Sequence, residues 1–281
     1  MTILVTGAQG MVGSRVVARL RAKGASVVPV GRAELDLTQP QRIAALLAEV
    51  RPQGIIHCAA MTDVDGCERD PQTAWAVNAA AVAALARSDA RLTALSTDYV
   101  FDGARGDYAE DDVPNPGSVY ARTKRAGEEA ALMLSKDRAV CRVAVVYTGH
   151  ESAKRSYAVT ATEALLAGKP VKAFIDQIVS PTLADNAAQM CIGVHESGEQ
   201  GVFHCAGASQ VTRIEFVQLL ARKLGADERL IEPVRLADLK LPAPRPLKCG
   251  LRVEKVQRLL GAEGPLPLSA ALDRFLEERR A

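Results

Sequence analysis

A tyrosine and a lysine four residues apart, Tyr120 and Lys124, carry the groups in this sequence best suited to acid–base chemistry. Residues at this spacing share one face of a helix, so a phenol and an ammonium can act on the same substrate atom. A free tyrosine has a pKa of about 10, and a nearby cation lowers it by favouring the phenolate. Upstream, Ser96 and Thr97 offer hydroxyl groups that can hold a carbonyl oxygen against the phenol. These groups predict a site that interconverts an alcohol and a ketone.

A Tyr-x-x-x-Lys pair also arises by chance on solvated helix faces, so the prediction depends on the elements around it. Short β-branched segments predict strands at residues 3–5, 27–30, 54–57, 92–95 and 140–146. Longer segments rich in Ala and Leu predict helices at 11–23, 41–50, 73–88 and 118–134. Strands that alternate with helices are typical of parallel βαβ units. The predicted fold class is therefore α/β, with a Rossmann-type doubly wound parallel sheet.

The pattern changes after Tyr147. Thr212 and Glu215 form a capping box that predicts the start of a helix ending at Leu224. The remaining predictions are helices at 156–167, 184–194, 252–260 and 268–278, a strand at 201–204, and loop and turn at 176–182. We expect residues 1–149 to form an NAD(P)-binding domain to which 182–204 return. Residues 150–281 are expected to form a smaller C-terminal substrate-binding lobe.

A glycine-rich segment follows the first predicted strand and precedes the first helix. Gly7, Gly10 and Gly13 permit a tight turn, close approach of backbone N–H groups to a pyrophosphate, and close packing of helix on strand. The helix N-terminus adds unpaired donors and a favourable dipole for phosphates. The Gly-x-x-Gly-x-x-Gly spacing is one residue longer than the common fingerprint, but its position between strand and helix predicts a dinucleotide site.

The end of the second predicted strand indicates which dinucleotide binds. NAD-binding chains usually carry an acid there for the ribose hydroxyls, whereas this chain has Arg32. An arginine suits a 2′-phosphate, which it can bind with paired donors. The sequence therefore favours NADPH. NADH stays an alternative because Glu34 and Asp36 lie close by.

Composition excludes several classes of protein. The 281 residues are 48 % hydrophobic and 24 % charged, as in ordinary soluble globular proteins. A net charge of +2 gives no reason to expect nucleic acid or an acidic membrane as a partner. No apolar run reaches the ~20 residues of a membrane helix, and the N-terminus enters a strand pattern without a signal peptide. We therefore expect a cytoplasmic protein.

The six cysteines and four histidines are dispersed and lack the spacing of metal ligands. Cys58, Cys141 and Cys205 lie in apolar, strand-like segments, which favours small buried hydrophobic side chains over ligands. His57 and His204 end strand-like runs and are expected at strand ends or in the core. No metal site is predicted.

Several segments together resemble the extended short-chain dehydrogenase/reductases, and among them the dTDP-4-dehydrorhamnose reductases. The most specific is Ser-Thr-Asp-Tyr-Val-Phe-Asp-Gly at residues 96–103. The other matching segments are residues 6–13, 57–65, 74–78, 120–128 and 176–182, and Arg245-Pro246 with Leu251. The likeness extends over nearly the whole chain.

The resemblance implies hydride transfer from a nicotinamide to the C4 ketone of a nucleotide-linked 4-keto-6-deoxy sugar. Tyr120 would protonate the developing alkoxide, Thr97 would hydrogen-bond the same oxygen, and Lys124 would lower the phenol pKa and bind the nicotinamide ribose. Asn78 resembles a structural asparagine of the family. The cofactor contacts implied are Gly7, Gln9, Gly10, Met11, Val12, Gly13, Arg32, Asp36, Leu37, Ala59, Ala60, Tyr120 and Lys124.

Two departures from the family pattern leave the sugar and its nucleotide open. Residues 144–147 read Ala-Val-Val-Tyr where such reductases tend to have a tryptophan, and Ser156-Tyr157 replaces an Asn-Phe pair. A nucleotide-sugar epimerase or another extended dehydrogenase is therefore an alternative. A further alternative is a non-catalytic NADP-binding regulatory subunit like the β subunit of methionine adenosyltransferase. A homodimer is left open.

Overall fold

The structure is a computed structural model that describes residues 1–150 and 155–280. Its strands are β1 (Thr2–Thr6), β2 (Ser26–Val30), β3 (Gly54–His57), β4 (Arg91–Thr97), β5 (Arg138–Val143), β6 (Val146–Tyr147), β7 (Val171–Phe174), β8 (Ile178–Val179), β9 (Thr182–Leu183), β10 (Gly201–His204), β11 (Val211–Thr212) and β12 (Ile231–Val234). Its helices are α1 (Met11–Ala22), α2 (Pro40–Val50), α3 (Val64–Arg69), α4 (Pro71–Trp75), α5 (Ala81–Ala86), α6 (Val119–Leu134), α7 (Tyr157–Leu166), α8 (Ala184–Ser197), α9 (Arg213–Leu224), α10 (Glu254–Leu260) and α11 (Leu268–Glu278).

Six strands form one central sheet in the order β10-β5-β4-β3-β1-β2, and every pairing in it is parallel. Side chains alternate across a strand, so β1 contributes to two hydrophobic clusters. Ile3 and Val5 pack with α1 and α8 on one face, whereas Leu4 packs with α2 and α5 on the other. The predicted doubly wound α/β fold is confirmed.

The segment from α8 to β10 is part of the domain that contains the central sheet. Strand β10 pairs with β5, and α8 packs beside α1 with Met190 and Ile192 in the shared cluster. The elements α7, β7, α9, β12 and α11 form a second lobe around their own core, in which Tyr147, Phe216 and Phe275 are buried, whereas α10 packs against α8 and β10. The assignment of this lobe to substrate binding stays a prediction.

The structure divides two of the predicted elements. The helix expected at 73–88 consists of α4, a π-helical turn at Ala76–Ala80, and α5. The strand expected at 140–146 ends at Val143 and resumes as β6, because Val145 has a positive φ of 41° that interrupts an extended strand.

The segment expected to be loop and turn at 176–182 contains two short strands. Strand β8 pairs with β11 and β9 pairs with β6, so tertiary pairing extends a segment whose own residues favour turns. The capping box at Thr212 is confirmed: its hydroxyl accepts from the Glu215 amide at 3.3 Å, and the Glu215 carboxylate accepts from the Thr212 amide at 2.6 Å. In the described part of the chain, no helix combines the length and the apolar character needed to cross a membrane.

Candidate active site

The glycine segment forms a tight loop between β1 and α1. Gly7 has a φ of +66°, and a Cβ there would lie 2.6 Å from the Ala59 backbone nitrogen. A Cβ at Gly13 would lie 2.1 Å from the Gly7 carbonyl oxygen. Gly10 caps α1 with an extended backbone and no side-chain hydrogen bond. The first amides of α1 are therefore reachable by a phosphate group, which fits the predicted dinucleotide loop.

The three predicted cofactor contacts between these glycines are placed differently. Gln9 is exposed and lies against Gly31, where an added Cβ would come within 2.6 Å of the Gln9 side chain. Met11 is partly buried, and Val12 is buried in the cluster under α1. Val12 can therefore meet a cofactor through its backbone, because its side chain belongs to the core.

Arg32 lies two residues beyond the end of β2 and is exposed. It forms no ion pair with any residue of the described chain. Its neighbour Glu34 is occupied, because its carboxylate accepts a hydrogen bond of 2.7 Å from the Gly31 amide. The end of β2 therefore offers a free guanidinium to a ligand, and this arrangement supports a 2′-phosphate better than a free ribose diol.

Asp36 and Leu37 lie at the entry to α2. The Asp36 carboxylate accepts hydrogen bonds from the Thr38 amide at 2.9 Å, the Thr38 hydroxyl at 2.7 Å and the Gln39 side chain at 2.8 Å. These bonds, the Thr38 hydroxyl first, hold the pKa of Asp36 below its usual value. Leu37 is partly buried against the cluster that contains Leu35 and Ile43. Both residues thus shape the turn after β2.

Ala59 and Ala60 follow β3 and are fixed by a buried asparagine on another element. The Asn78 amide oxygen accepts from the Met61 amide at 2.8 Å, and its nitrogen donates to the Met61 carbonyl and the Thr123 hydroxyl, each at 3.1 Å. Asn78 therefore ties the loop after β3 to α6. This contact set agrees with the structural role expected for it.

The three candidate catalytic side chains meet at the end of β4. Thr97 is the last residue of β4, and its hydroxyl lies beside the phenol of Tyr120 in the first turn of α6. The Lys124 ammonium, one turn further along, donates a 2.7 Å hydrogen bond to the Leu95 carbonyl. All three side chains are buried. The Tyr99 ring packs edge-on against the Tyr120 ring, with centroids 5.8 Å apart.

Burial determines the protonation states of Tyr120 and Lys124. It raises the pKa of the Tyr120 phenol above its usual value, and the neighbouring Thr97 hydroxyl only partly opposes that shift. The Lys124 ammonium is engaged with the Leu95 carbonyl, and the expected lowering of the phenol pKa by this lysine stays a prediction. Burial lowers the pKa of Lys124 to about 8, against the opposing charge of Glu128. The site thus holds a neutral phenol beside an ammonium that is charged at neutral pH.

Tertiary structure adds polar groups that sequence reasoning did not single out. Asp98, directly after Thr97, is 2 % exposed, and its Oδ2 atom has no hydrogen-bond partner among residues 1–150 and 155–280. Burial raises the pKa of Asp98 to about 7. Arg213 approaches from the second lobe and interacts electrostatically with Asp98. Asp98 lay within a recognised motif, but no sequence signal connected Arg213 with it.

The two departures from the family pattern, at Tyr147 and at Ser156-Tyr157, occupy different positions in the second lobe. The Tyr147 ring packs between Phe216 and Phe275 in that lobe's core, at centroid distances of 5.4 and 5.6 Å. Ser156 caps α7, and the Arg213 guanidinium lies 5.1 Å from the centre of the Tyr157 ring. Tyr157 is therefore the departure that connects to the candidate site.

Three of the dispersed cysteines come together in the core. The Sγ atoms of Cys141, Cys191 and Cys205 lie within 4.8 Å of one another, and all three side chains are buried. They form part of the cluster between α1 and α8 with apolar neighbours such as Ile192. Burial in such surroundings raises the pKa of the Cys205 thiol and disfavours the thiolate. All three side chains are thus buried among apolar neighbours, as the sequence predicts for Cys141 and Cys205.

The predicted cofactor residues after β1, β2 and β3 and the catalytic residues at β4 all lie at the carboxyl edge of the parallel sheet. Ligands of open α/β sheets bind at this edge. A glycine-rich loop after β1 and a Thr–Tyr–Lys group contributed by β4 and α6 define a nucleotide-dependent oxidoreductase of the short-chain dehydrogenase/reductase type.

Comparison with known proteins assigns the family. Residues 1–280 match the RmlD substrate binding domain, so the chain belongs to the RmlD family. It is 38 % identical to a protein of Haloferax volcanii named a probable low-salt glycan biosynthesis reductase, Agl14, with 94 % of each chain covered. It is 36 % identical to the dTDP-4-dehydrorhamnose reductase of Mycobacterium tuberculosis over 86 % of this chain and 82 % of that one.

A solved structure agrees with this assignment. The dTDP-4-dehydrorhamnose reductase of Bacillus anthracis, described in complex with NADP, superimposes with a TM-score of 0.91. The two chains are 26 % identical, and 99 % of each is covered. These findings confirm the predictions of family, fold and oxidoreductase class.

Proposed function

We propose that this chain is an NADPH-dependent reductase of the C4 ketone of a nucleotide-linked 4-keto-6-deoxy sugar. One observation carries the proposal: the Thr97 hydroxyl and the Tyr120 phenol lie beside each other at the carboxyl edge of the sheet that also carries the glycine loop. Two adjacent hydroxyl groups can hold one carbonyl oxygen. The names of the Mycobacterium and Bacillus relatives support the same chemistry.

The chain's own groups have distinct roles in this reaction. The glycine loop would hold the pyrophosphate of a reduced nicotinamide coenzyme, which would supply the hydride. Tyr120 donates its proton to the oxygen that develops negative charge, because burial keeps its phenol neutral. Thr97 donates a hydrogen bond to the same oxygen and fixes its position. Lys124, still charged at neutral pH, stabilises the phenolate left after proton transfer.

The cofactor choice rests on Arg32. Its exposed guanidinium, without an ion pair in the described chain, can bind a 2′-phosphate bidentately. The two acids that favoured NADH in the sequence are both engaged in local hydrogen bonds, Glu34 with Gly31 and Asp36 with Thr38. The NADP complex of the Bacillus relative supports NADPH. The cytoplasmic location and the homodimer stay predictions.

The test is NADPH oxidation with dTDP-4-dehydro-6-deoxy-L-mannose, measured for the wild type and for Tyr120→Phe. Loss of the phenol should lower kcat by about 10²-fold or more, the scale of a general acid. Tyr108→Phe is the matched control, since its hydroxyl bonds Asp102 away from the site and its loss should leave kcat unchanged. Retained NADPH binding by Tyr120→Phe shows that the site is folded. A wild type that binds NADPH but oxidises none with this sugar would contradict the proposal and favour the regulatory alternative.

A further inference from the structure

The guanidinium of Arg213 is a cation that the second lobe brings to the candidate site and that no carboxylate of the described residues pairs with. Arg213 is the first residue of α9 and is partly buried. Its Nε atom donates a 3.2 Å hydrogen bond to the Gln177 side chain, and the guanidinium packs over the Tyr157 ring. These two contacts fix the side chain from one side and leave its terminal nitrogens without a partner in the described chain.

The charge of Arg213 is not neutralised by the described protein. Its charge interacts with Asp98, Tyr99 and Tyr157, yet no carboxylate of the described residues lies within ion-pairing distance of it. Asp98 is a weak counter-ion because burial raises its pKa to about 7, and its Oδ1 atom already accepts from the Thr97 hydroxyl at 3.0 Å. Arg245, which also faces Tyr99, differs in this respect because Asp65 pairs with it at 2.9 Å.

A partly buried, unpaired cation is costly unless a ligand supplies the opposite charge. The unpartnered Oδ2 atom of Asp98 marks the same region as incomplete. The coenzyme pyrophosphate does not meet this need, because the glycine loop follows β1, whereas Asp98 follows β4. These strands lie two places apart in the sheet, a separation of about 10 Å. A second anion must therefore come from the other substrate.

We propose that Arg213 binds the diphosphate of the nucleotide-linked sugar and so orients the sugar ketone towards Tyr120. This inference rests on the proposed function, in which the substrate is an uncharged sugar linked to a nucleotide. In such a substrate the diphosphate is the only strongly anionic group. A guanidinium held by Gln177 and Tyr157 presents its remaining donors as a fork that matches phosphate oxygens. The contact also joins the two lobes through the substrate, because Arg213 lies on the second lobe and Asp98 on the sheet.

The test compares the binding of dTDP and of thymidine by calorimetry in the wild type, Arg213→Gln and Arg213→Lys. Arg213→Gln should weaken dTDP by about 10- to 100-fold, the effect of losing charged hydrogen bonds, and should leave thymidine unchanged. The dTDP affinity of Arg213→Lys should lie between those of the wild type and Arg213→Gln, because lysine keeps the positive charge but lacks the paired donors of a guanidinium. Arg222→Gln, on the same helix but exposed, should bind both ligands as the wild type does.

Equal weakening of dTDP and thymidine by Arg213→Gln, or no weakening of either, would overturn the proposal. NADPH binding by each variant checks that it is folded, and Arg213→Lys preserves the test if the glutamine variant fails this check. The readout does not require turnover. A wild type that does not reduce the keto sugar but shows Arg213-dependent dTDP binding would contradict the proposed function and support the binding of the diphosphate by Arg213.

Discussion

Arg142 on β5 donates two hydrogen bonds of 2.8 Å to the carboxylate of Glu128 on α6, and each side chain is only 1 % exposed. The pair joins the sheet to the helix that carries Tyr120 and Lys124. Glu128 lies one helical turn beyond Lys124, and its negative charge raises the pKa of that lysine against the effect of burial. This buried ion pair thus holds α6 against the sheet, and the charge of Glu128 raises the pKa of Lys124 on the same helix.

Glu128→Gln should therefore destabilise the fold. Removing one partner leaves Arg142 as an uncompensated buried charge, which costs about 3–5 kcal/mol of unfolding free energy. Urea unfolding at neutral pH measures the loss. The adjacent Glu129→Gln is the control: Glu129 is half exposed and pairs with Arg125 at the surface, so its removal should cost about 1 kcal/mol or less. Similar losses in both variants would show that the buried pair has no special role.

Catalysis should depend on the charge of Lys124 in a defined pH range. Its pKa is about 8, so the ammonium is charged below pH 8 and neutral above it. Since the charged form stabilises the phenolate of Tyr120, kcat should fall as pH rises through about 8. Removing the Glu128 charge should shift this descending limb to lower pH, because Glu128 raises the Lys124 pKa.

The pH profile of kcat measures both effects, with Lys124→Met as the reference. That variant should lose activity at all pH values and lack the descending limb. A wild-type limb near pH 8 that persists in Lys124→Met would assign the titration to another group.

Arg32→Ala should separate the two coenzymes. Loss of charge-assisted hydrogen bonds to the 2′-phosphate should weaken NADPH by about 10- to 100-fold, whereas NADH has no phosphate there and should change little. Dissociation constants from nucleotide fluorescence measure the difference. Arg21→Ala, an exposed arginine on α1, is the control and should alter neither value. If both coenzymes weaken alike in Arg32→Ala, Arg32 does not recognise the 2′-phosphate.

Local sequence determined most of the sheet and the loop at its edge. The β-branched segments and the glycines after β1 are constrained within a few residues, since only Gly fits the φ of +66° at position 7 beside the Ala59 backbone. The capping box at Thr212 is likewise local, and it appears where predicted. The short strands β8 and β9 were missed because their pairing partners lie far away in the chain.

By itself, the sequence determined that a phenol and an ammonium share one helix face and that a nucleotide loop follows the first strand, because both depend on spacing along the chain. Only the tertiary structure determined the protonation states and the charge interactions of the side chains at the site. Burial keeps the Tyr120 phenol neutral. Arg142 pairs with Glu128, and the charge of Glu128 raises the pKa of Lys124. Arg213, on the second lobe, interacts electrostatically with Asp98. Solvent exclusion and the approach of charges distant in sequence arise from packing, and the spacing of residues along a chain does not record them.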